Sequence, residues 1–188
     1  MKQLIYTMTL IVFGMWSSTA GAQLKYYGTY EFSQEDNRVT QDSSQKSGFV
    51  LGGKNSAGWD VSSKFDLAHE SSSANGIELR IRKNWSNAFG SLSPWLGVRG
   101  GETIRSDDHW LYYAVEGGVK FPIAGAFSGD VGYRYRNATE QWRAYQTDRY
   151  YGMVSYALTK QDSIGVRFAR SSGDSETDAW RFSYTRSF

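Results

Sequence analysis

The chain has 188 residues, 16% of them aromatic, with 20 glycines, two prolines, no cysteine and a formal net charge of +2. That length holds one domain, and without cysteine no disulfide contributes to its stability. A charge this close to neutral excludes nucleic acid as the main partner, because phosphate binders carry a clear basic excess.

The first element in chain order is a leader. Lys2 gives a positive start, Leu4 to Trp16 an apolar core and Ala20-Gly21-Ala22 a small-residue cleavage pattern, so residues 1–22 read as a secretory signal peptide cut after Ala22. The apolar run is too short for the roughly 20 residues that a helix needs to span a bilayer. No later stretch is a helical span either. Loss of Lys2 brings the charge of residues 23–188 to +1.

From residue 23 on, ten segments alternate apolar or aromatic residues with polar ones, the period of a two-faced strand. Leu24, Tyr26, Gly28, Tyr30 and Phe32 oppose Lys25, Tyr27, Thr29 and Glu31. Phe49, Leu51 and Gly53 form the second segment. Trp59, Val61, Ser63, Phe65 and Leu67 oppose Asp60, Ser62, Lys64 and Asp66; Ile77, Leu79 and Ile81 oppose Glu78, Arg80 and Arg82. In the fifth, Leu96 and Val98 stand against Trp95 and Arg99. The sixth runs from Leu111 to Phe121, where Pro122 is expected to end it, the seventh from Phe127 to Arg136 and the eighth from Tyr150 to Leu158. Ser163 to Arg170 and Ala179 to Phe188 complete the set.

Segments of this length suit the roughly 9 to 11 residues of a tilted membrane-crossing strand. The odd connections, Gln34 to Lys46, His69 to Asn75, Glu102 to Asp108, Asn137 to Asp148 and Ser171 to Asp178, are long and polar. Of the even ones, Asn55 to Ala57, Pro122 to Gly125 and Thr159 to Asp162 are tight and Ser86 to Ser91 is intermediate. The expected fold is all-β: an up-and-down antiparallel transmembrane barrel of about ten strands, with long loops outside and short turns, together with both chain ends, on the periplasmic side.

Charge decides which face points inward. The polar faces carry Glu31, Asp60, Asp66, Glu78, Glu116 and Asp130 against Lys25, Lys54, Lys64, Arg80, Arg82, Arg99, Lys120, Arg134, Arg136, Arg167 and Arg181, whereas the apolar faces carry almost no charge. An outward apolar band with aromatic ends matches a wall facing outer-membrane lipid and its girdles. Val61, Leu79, Val115, Val131 and Phe168 should face that lipid. Trp59, Trp85, Phe121, Phe127 and Phe188 would mark one rim, and Tyr30, Trp110, Tyr135, Tyr150 and Trp180 the other.

The final segment, with Trp180, Phe182, Tyr184 and Phe188 alternating to a terminal phenylalanine, resembles the terminal signature of bacterial outer-membrane barrels, from which Arg186 departs. That resemblance implies the barrel-assembly machinery as a partner. The layout of residues 23–188 is similar to small porins, and Val131 to Arg136 with Tyr150 to Tyr156 resemble the acidic-oligosaccharide porins, which include oligogalacturonate-specific channels. Members of that family have twelve strands; ten are counted here.

An inward excess of base, 11 against 6, would make an open lumen favour anions, since charged rings in a low-dielectric pore set ion selectivity. Arg80, Arg82, Arg99, Lys120, Arg134, Arg136, Arg167 and Arg181 are the expected lining, and the pairs Arg80/Arg82 and Arg134/Arg136 are spaced to grip carboxylates bidentately. Small anionic solutes, acidic sugars among them, are the expected cargo. A lumen plugged by Arg to carboxylate networks stands beside this as an alternative, as does a barrel that binds through its external loops. Two short matches point to enzymes: His69-Glu70-Ser71 with Glu78 resembles the set of lipid A deacylases, and Asp107-Asp108-His109 that of barrel proteases. Both fall in loops that ought to be polar anyway, and no metal-ligand spacing or phosphate loop implies a cofactor.

Overall fold

A computed structural model describes residues 24–69, 74–105, 108–140 and 145–188; the leader expected over residues 1–22 lies outside them. Ten antiparallel strands, each paired with its sequence neighbour, form a barrel that β1 and β10 close. They are β1 (Leu24–Asn37), β2 (Ser43–Asn55), β3 (Trp59–Ala68), β4 (Asn75–Asn84), β5 (Ser93–Ile104), β6 (His109–Ala124), β7 (Phe127–Ala138), β8 (Thr147–Ala157), β9 (Asp162–Gly173) and β10 (Thr177–Ser187). The count is ten, as the alternation predicts. Among the described residues no helix is long and apolar enough to cross a membrane.

Strand tilt is fixed by the register. Following partners around the wall leads from Lys25 through Lys54, Asp60, Arg82, Gly97, Glu116, Arg134, Arg149, Ser171 and Thr177 back to Asn37, a stagger of 12 residues along β1. Closure with such a shear tilts the strands and removes every sheet edge. The row also shows why charge collects inside. Since side chains alternate, every member of it points to the lumen.

The lipid-facing set is as expected. Val115 and Val131 are 51% and 48% exposed on the outer face, and Val61, Leu79 and Phe168 share that face. Aromatic pairs collect at two levels: Phe127 with Tyr156, near Trp59, Phe121 and Phe188 at the turn end, and Tyr30 with Phe49, Tyr133 with Tyr150 and Phe168 with Trp180 nearer the loop end. Trp110 breaks the expected girdle, being an inward residue of β6 with 4% exposure.

The expected long loops shrink. β1 continues to Asn37 and β2 starts at Ser43, β7 reaches Ala138 and β8 starts at Thr147, and β9 and β10 leave only residues 174–176 between them. Polar outward residues such as Gln34, Asp36, Asn137, Asp148, Arg170 and Asp178 made strand look like loop: these ends project past the lipid band, where an outward face should be polar. Pro122 does not end β6, which runs to Ala124 across a register irregularity that absorbs the missing N–H. At the opposite end Gly58 has φ of +87°, and a Cβ there would meet the Asn84 carbonyl at 2.2 Å, so this turn requires glycine.

Candidate functional site: the charged lumen

All eight basic residues singled out by alternation point into the barrel. The longer strands add Lys46, Arg149 and Glu35, so 11 bases against 6 acids become 13 against 7. These charges do not form one uniform lining.

Four inward glycines organise the wall. Gly52 faces Tyr27 across the β1–β2 ladder, Gly118 faces Trp95, Gly101 faces Tyr112 and Gly132 faces Tyr151. A Cβ on any of the four would come within 2.6 to 2.7 Å of its aromatic partner, so the ring occupies the glycine's vacant side-chain space and lies over the wall. Each ring then carries a cation. The nitrogen of Lys54 is 4.8 Å from the Tyr27 centroid, and the guanidinium carbons of Arg82, Arg136 and Arg167 lie 5.2, 4.2 and 3.5 Å from Trp95, Tyr112 and Tyr151. A cation over an aromatic face contributes on the order of 0.5–2 kcal/mol. These glycines appear in the sequence as ordinary strand glycines; the register alone reveals their partners.

Across the middle of the barrel the bases are paired. Asp60, fully buried, accepts hydrogen bonds from Tyr27 Oη and Arg82 Nη2, both at 2.8 Å, and Arg80 Nη2 lies 3.8 Å away. Arg99 bridges two carboxylates, Nη1 to Glu78 and Nη2 to Glu116, each at 2.5 Å. Tyr112 donates to the second oxygen of Glu78. Trp95 and Glu116 are each 1% exposed, and the Trp95 indole donates to Asp130 at 3.1 Å. Such paired carboxylates and guanidiniums are how small barrels fill interior space with side chains. This filled layer consumes Arg80, Arg82 and Arg99, so the pair Arg80/Arg82, expected to grip a solute, instead grips Asp60.

Above this layer a vestibule of about 520 Å³ lies toward the loop end. Its wall carries Lys46, Lys64, Arg99, Arg105, Arg134, Arg136, Arg149 and Arg181 against Glu35, Asp42, Asp66 and Glu78. Some of these bases are tied: Lys64 to Glu31 and Asp66 at 2.9 and 3.0 Å, Arg181 to Glu31 at 3.2 Å, and Arg149 to Glu35 at 2.7 Å. Arg134 and Arg136 are not. Among the described residues neither has a carboxylate within 4.0 Å; Glu116, opposite Arg134 in the ladder, gives its carboxylate to Arg99. Arg136 sits between the rings of Tyr112 and Tyr145, 4.2 and 4.1 Å from their centroids. Lys120, across the β6–β7 ladder from Asp130, lies below the filled layer.

The residues of the two short enzyme matches lie elsewhere. His69 Nε2 is 2.9 Å from Ser47 Oγ, which also meets Tyr30 Oη, on the outer face at the rim; Glu70 and Ser71 are outside the described residues, and Glu78 is inside the barrel on Arg99. His109 Nδ1 is 3.2 Å from Glu102, and Asp107 is likewise outside the described residues.

An apolar outer band, two aromatic levels and a charged interior define a small transmembrane β-barrel of the outer-membrane type. No protein-family model and no curated protein matches the chain. Among solved structures it is similar to the KdgM porin in complex with disordered oligogalacturonate, at 15% identity over 86% of this chain and 99% of that one with a TM-score of 0.54. It is also similar to an outer membrane channel from Pseudomonas putida F1, at 10% identity, 89% and 96% coverage and a TM-score of 0.56, and to the NanC porin, at 7% identity, 84% and 98% coverage and 0.54. At such identities the likeness is one of fold.

Proposed function

We propose that this barrel is a narrow, anion-preferring channel for small acidic solutes, sugar acids included. The observation that carries the reading is the vestibule: among the described residues eight bases face four acids around about 520 Å³, and neither Arg134 nor Arg136 has a carboxylate within 4.0 Å. Buried cations without partners are costly, so they hold water or a bound anion. A guanidinium presents a planar fork that fits a carboxylate. The likeness to a porin crystallised with oligogalacturonate, a polyanion, supports the same reading.

A second reading rests on the filled layer around Asp60, Glu116 and Trp95, which favours a barrel that binds anions without conducting. Purified protein in planar bilayers separates the two. The channel reading expects discrete small-conductance steps that galacturonate blocks at millimolar concentration or below; binding of galacturonate without any current would transfer the function to the second reading.

A further inference from the structure

Two walls of the lumen differ in what they project. From β1 to β6 the inner face carries Tyr27, Asp60, Arg82, Trp95 and Glu116, all at or below 8% exposure, which fill the middle of the barrel. On β9 the inward residues are Ser163, Gly165, Arg167, Ala169 and Ser171; on β10 they are Thr177, Ala179, Arg181, Ser183, Thr185 and Ser187. Each strand thus presents one large side chain. Arg167 and Arg181 stand directly opposite each other in the β9–β10 ladder.

Above this pair, Ser171, Thr177 and Arg181 already line the vestibule. Below it, the rows Ser183–Gly165–Ser155 and Thr29–Thr185–Ser163 present hydroxyls, with the Met153 side chain of β8 lying over Gly165, and those hydroxyl residues are all partly exposed, unlike Ser62 on the opposite wall at 4%. Partial exposure on an inward face means space for water. Both arginines are drawn to neighbours: Arg167 lies on the Tyr151 ring at 3.5 Å, and Arg181 reaches Glu31 at 3.2 Å.

We infer that the permeation route runs down the small-residue wall of β9 and β10, with Arg167 and Arg181 as the paired gate and selectivity point between the vestibule and a hydroxyl-lined lower half. This rests on the channel reading above and names the path through it. The filled layer is then a fixed pillar on one side of the lumen. Solute passes beside the pillar, screened by two guanidiniums whose swing toward Tyr151 or Glu31 widens the gap.

The chain has no cysteine, so single thiols can be placed without background. In the full barrel, Ser183→Cys and Thr185→Cys are compared with Ser62→Cys, using an anionic water-soluble methanethiosulfonate and reading both mass and current. The expected result is rapid modification of the first two with loss of most of the open-channel current, and no modification at position 62. As a second variant, Arg167→Ser with Arg181→Ser, which adds no bulk, should raise conductance several-fold and lower anion preference. Current that persists after complete modification at 183 and 185, or a double serine variant with unchanged conductance, overturns this route while leaving the channel reading intact. Absence of current in the unmodified protein overturns the channel reading itself.

Discussion

Arg99 and Arg136 lie in one register row, separated only by Ala114, and both point inward, yet they have opposite surroundings. Arg99 is held between Glu78 and Glu116; Arg136 lies between the rings of Tyr112 and Tyr145, with no carboxylate within 4.0 Å among the described residues. The filled layer and the vestibule thus use the same side chain for different ends. A guanidinium saturated by carboxylates is structure, and one left with aromatic faces keeps its charge available to a visitor. The number of basic residues in a lumen therefore says less about selectivity than which of them have acids in register.

That comparison breaks most sharply at the acids of the filled layer. Asp60→Asn leaves Arg82 and Arg80 without a counter-charge in a fully buried position, where removing one partner costs about 3–5 kcal/mol. Urea unfolding of the refolded barrel should show that loss, and an unaltered midpoint would mean that the layer does not hold the interior together.

Next in size is the closing seam. Phe188 donates its backbone N–H to Tyr26 and follows the alternation of Trp180, Phe182 and Tyr184 on the outer face of β10. Deleting Phe188 should reduce the yield of assembled barrel in the outer membrane several-fold while export continues; equal yields, judged by heat-modifiable gel mobility, would remove the terminal signature from the account.

Arg134→Ser with Arg136→Ser should have little effect on the unfolding midpoint, because among the described residues neither base has a carboxylate within 4.0 Å to abandon, while reducing the affinity of the vestibule for galacturonate. Calorimetric titration checks this, and undiminished binding would place the anion site elsewhere. Smallest of all is the outer rim, where Arg170 and Asp178 form a two-pronged pair at 2.8 Å in open solvent. Arg170→Ala should leave the midpoint of the same urea titration almost unchanged, since water screens an exposed pair, and a loss as large as that of Asp60→Asn would remove the distinction between rim and interior pairs.

Alternation made ten strands, their inward and outward faces and all eight candidate bases legible in the sequence, because a strand wall has period two and lipid tolerates little charge. Strand ends were not legible. Gln34, Asp36, Asn137 and Asp148 are polar on the outward face because they stand above the lipid band, and that composition is the same as a loop's. Trp110 looked like a girdle residue for a related reason: aromatics occur on both faces here, and only its parity with Tyr112 and Ala114 places it inside. The pairing within the lumen was beyond reach, since the partners of Asp60 and Arg99 and the four glycine-aromatic pairs depend on register between strands. The stagger of 12 residues that sets this register leaves no mark in any single strand.

Arg134 and Arg136, which have no carboxylate within 4.0 Å among the described residues, should give the lumen a preference for anions. The reversal potential of the unmodified barrel in a planar bilayer under asymmetric potassium chloride tests it most directly. A potential displaced toward the chloride equilibrium value is expected; a potential at zero, or displaced toward that of potassium, would contradict an anion-preferring lumen.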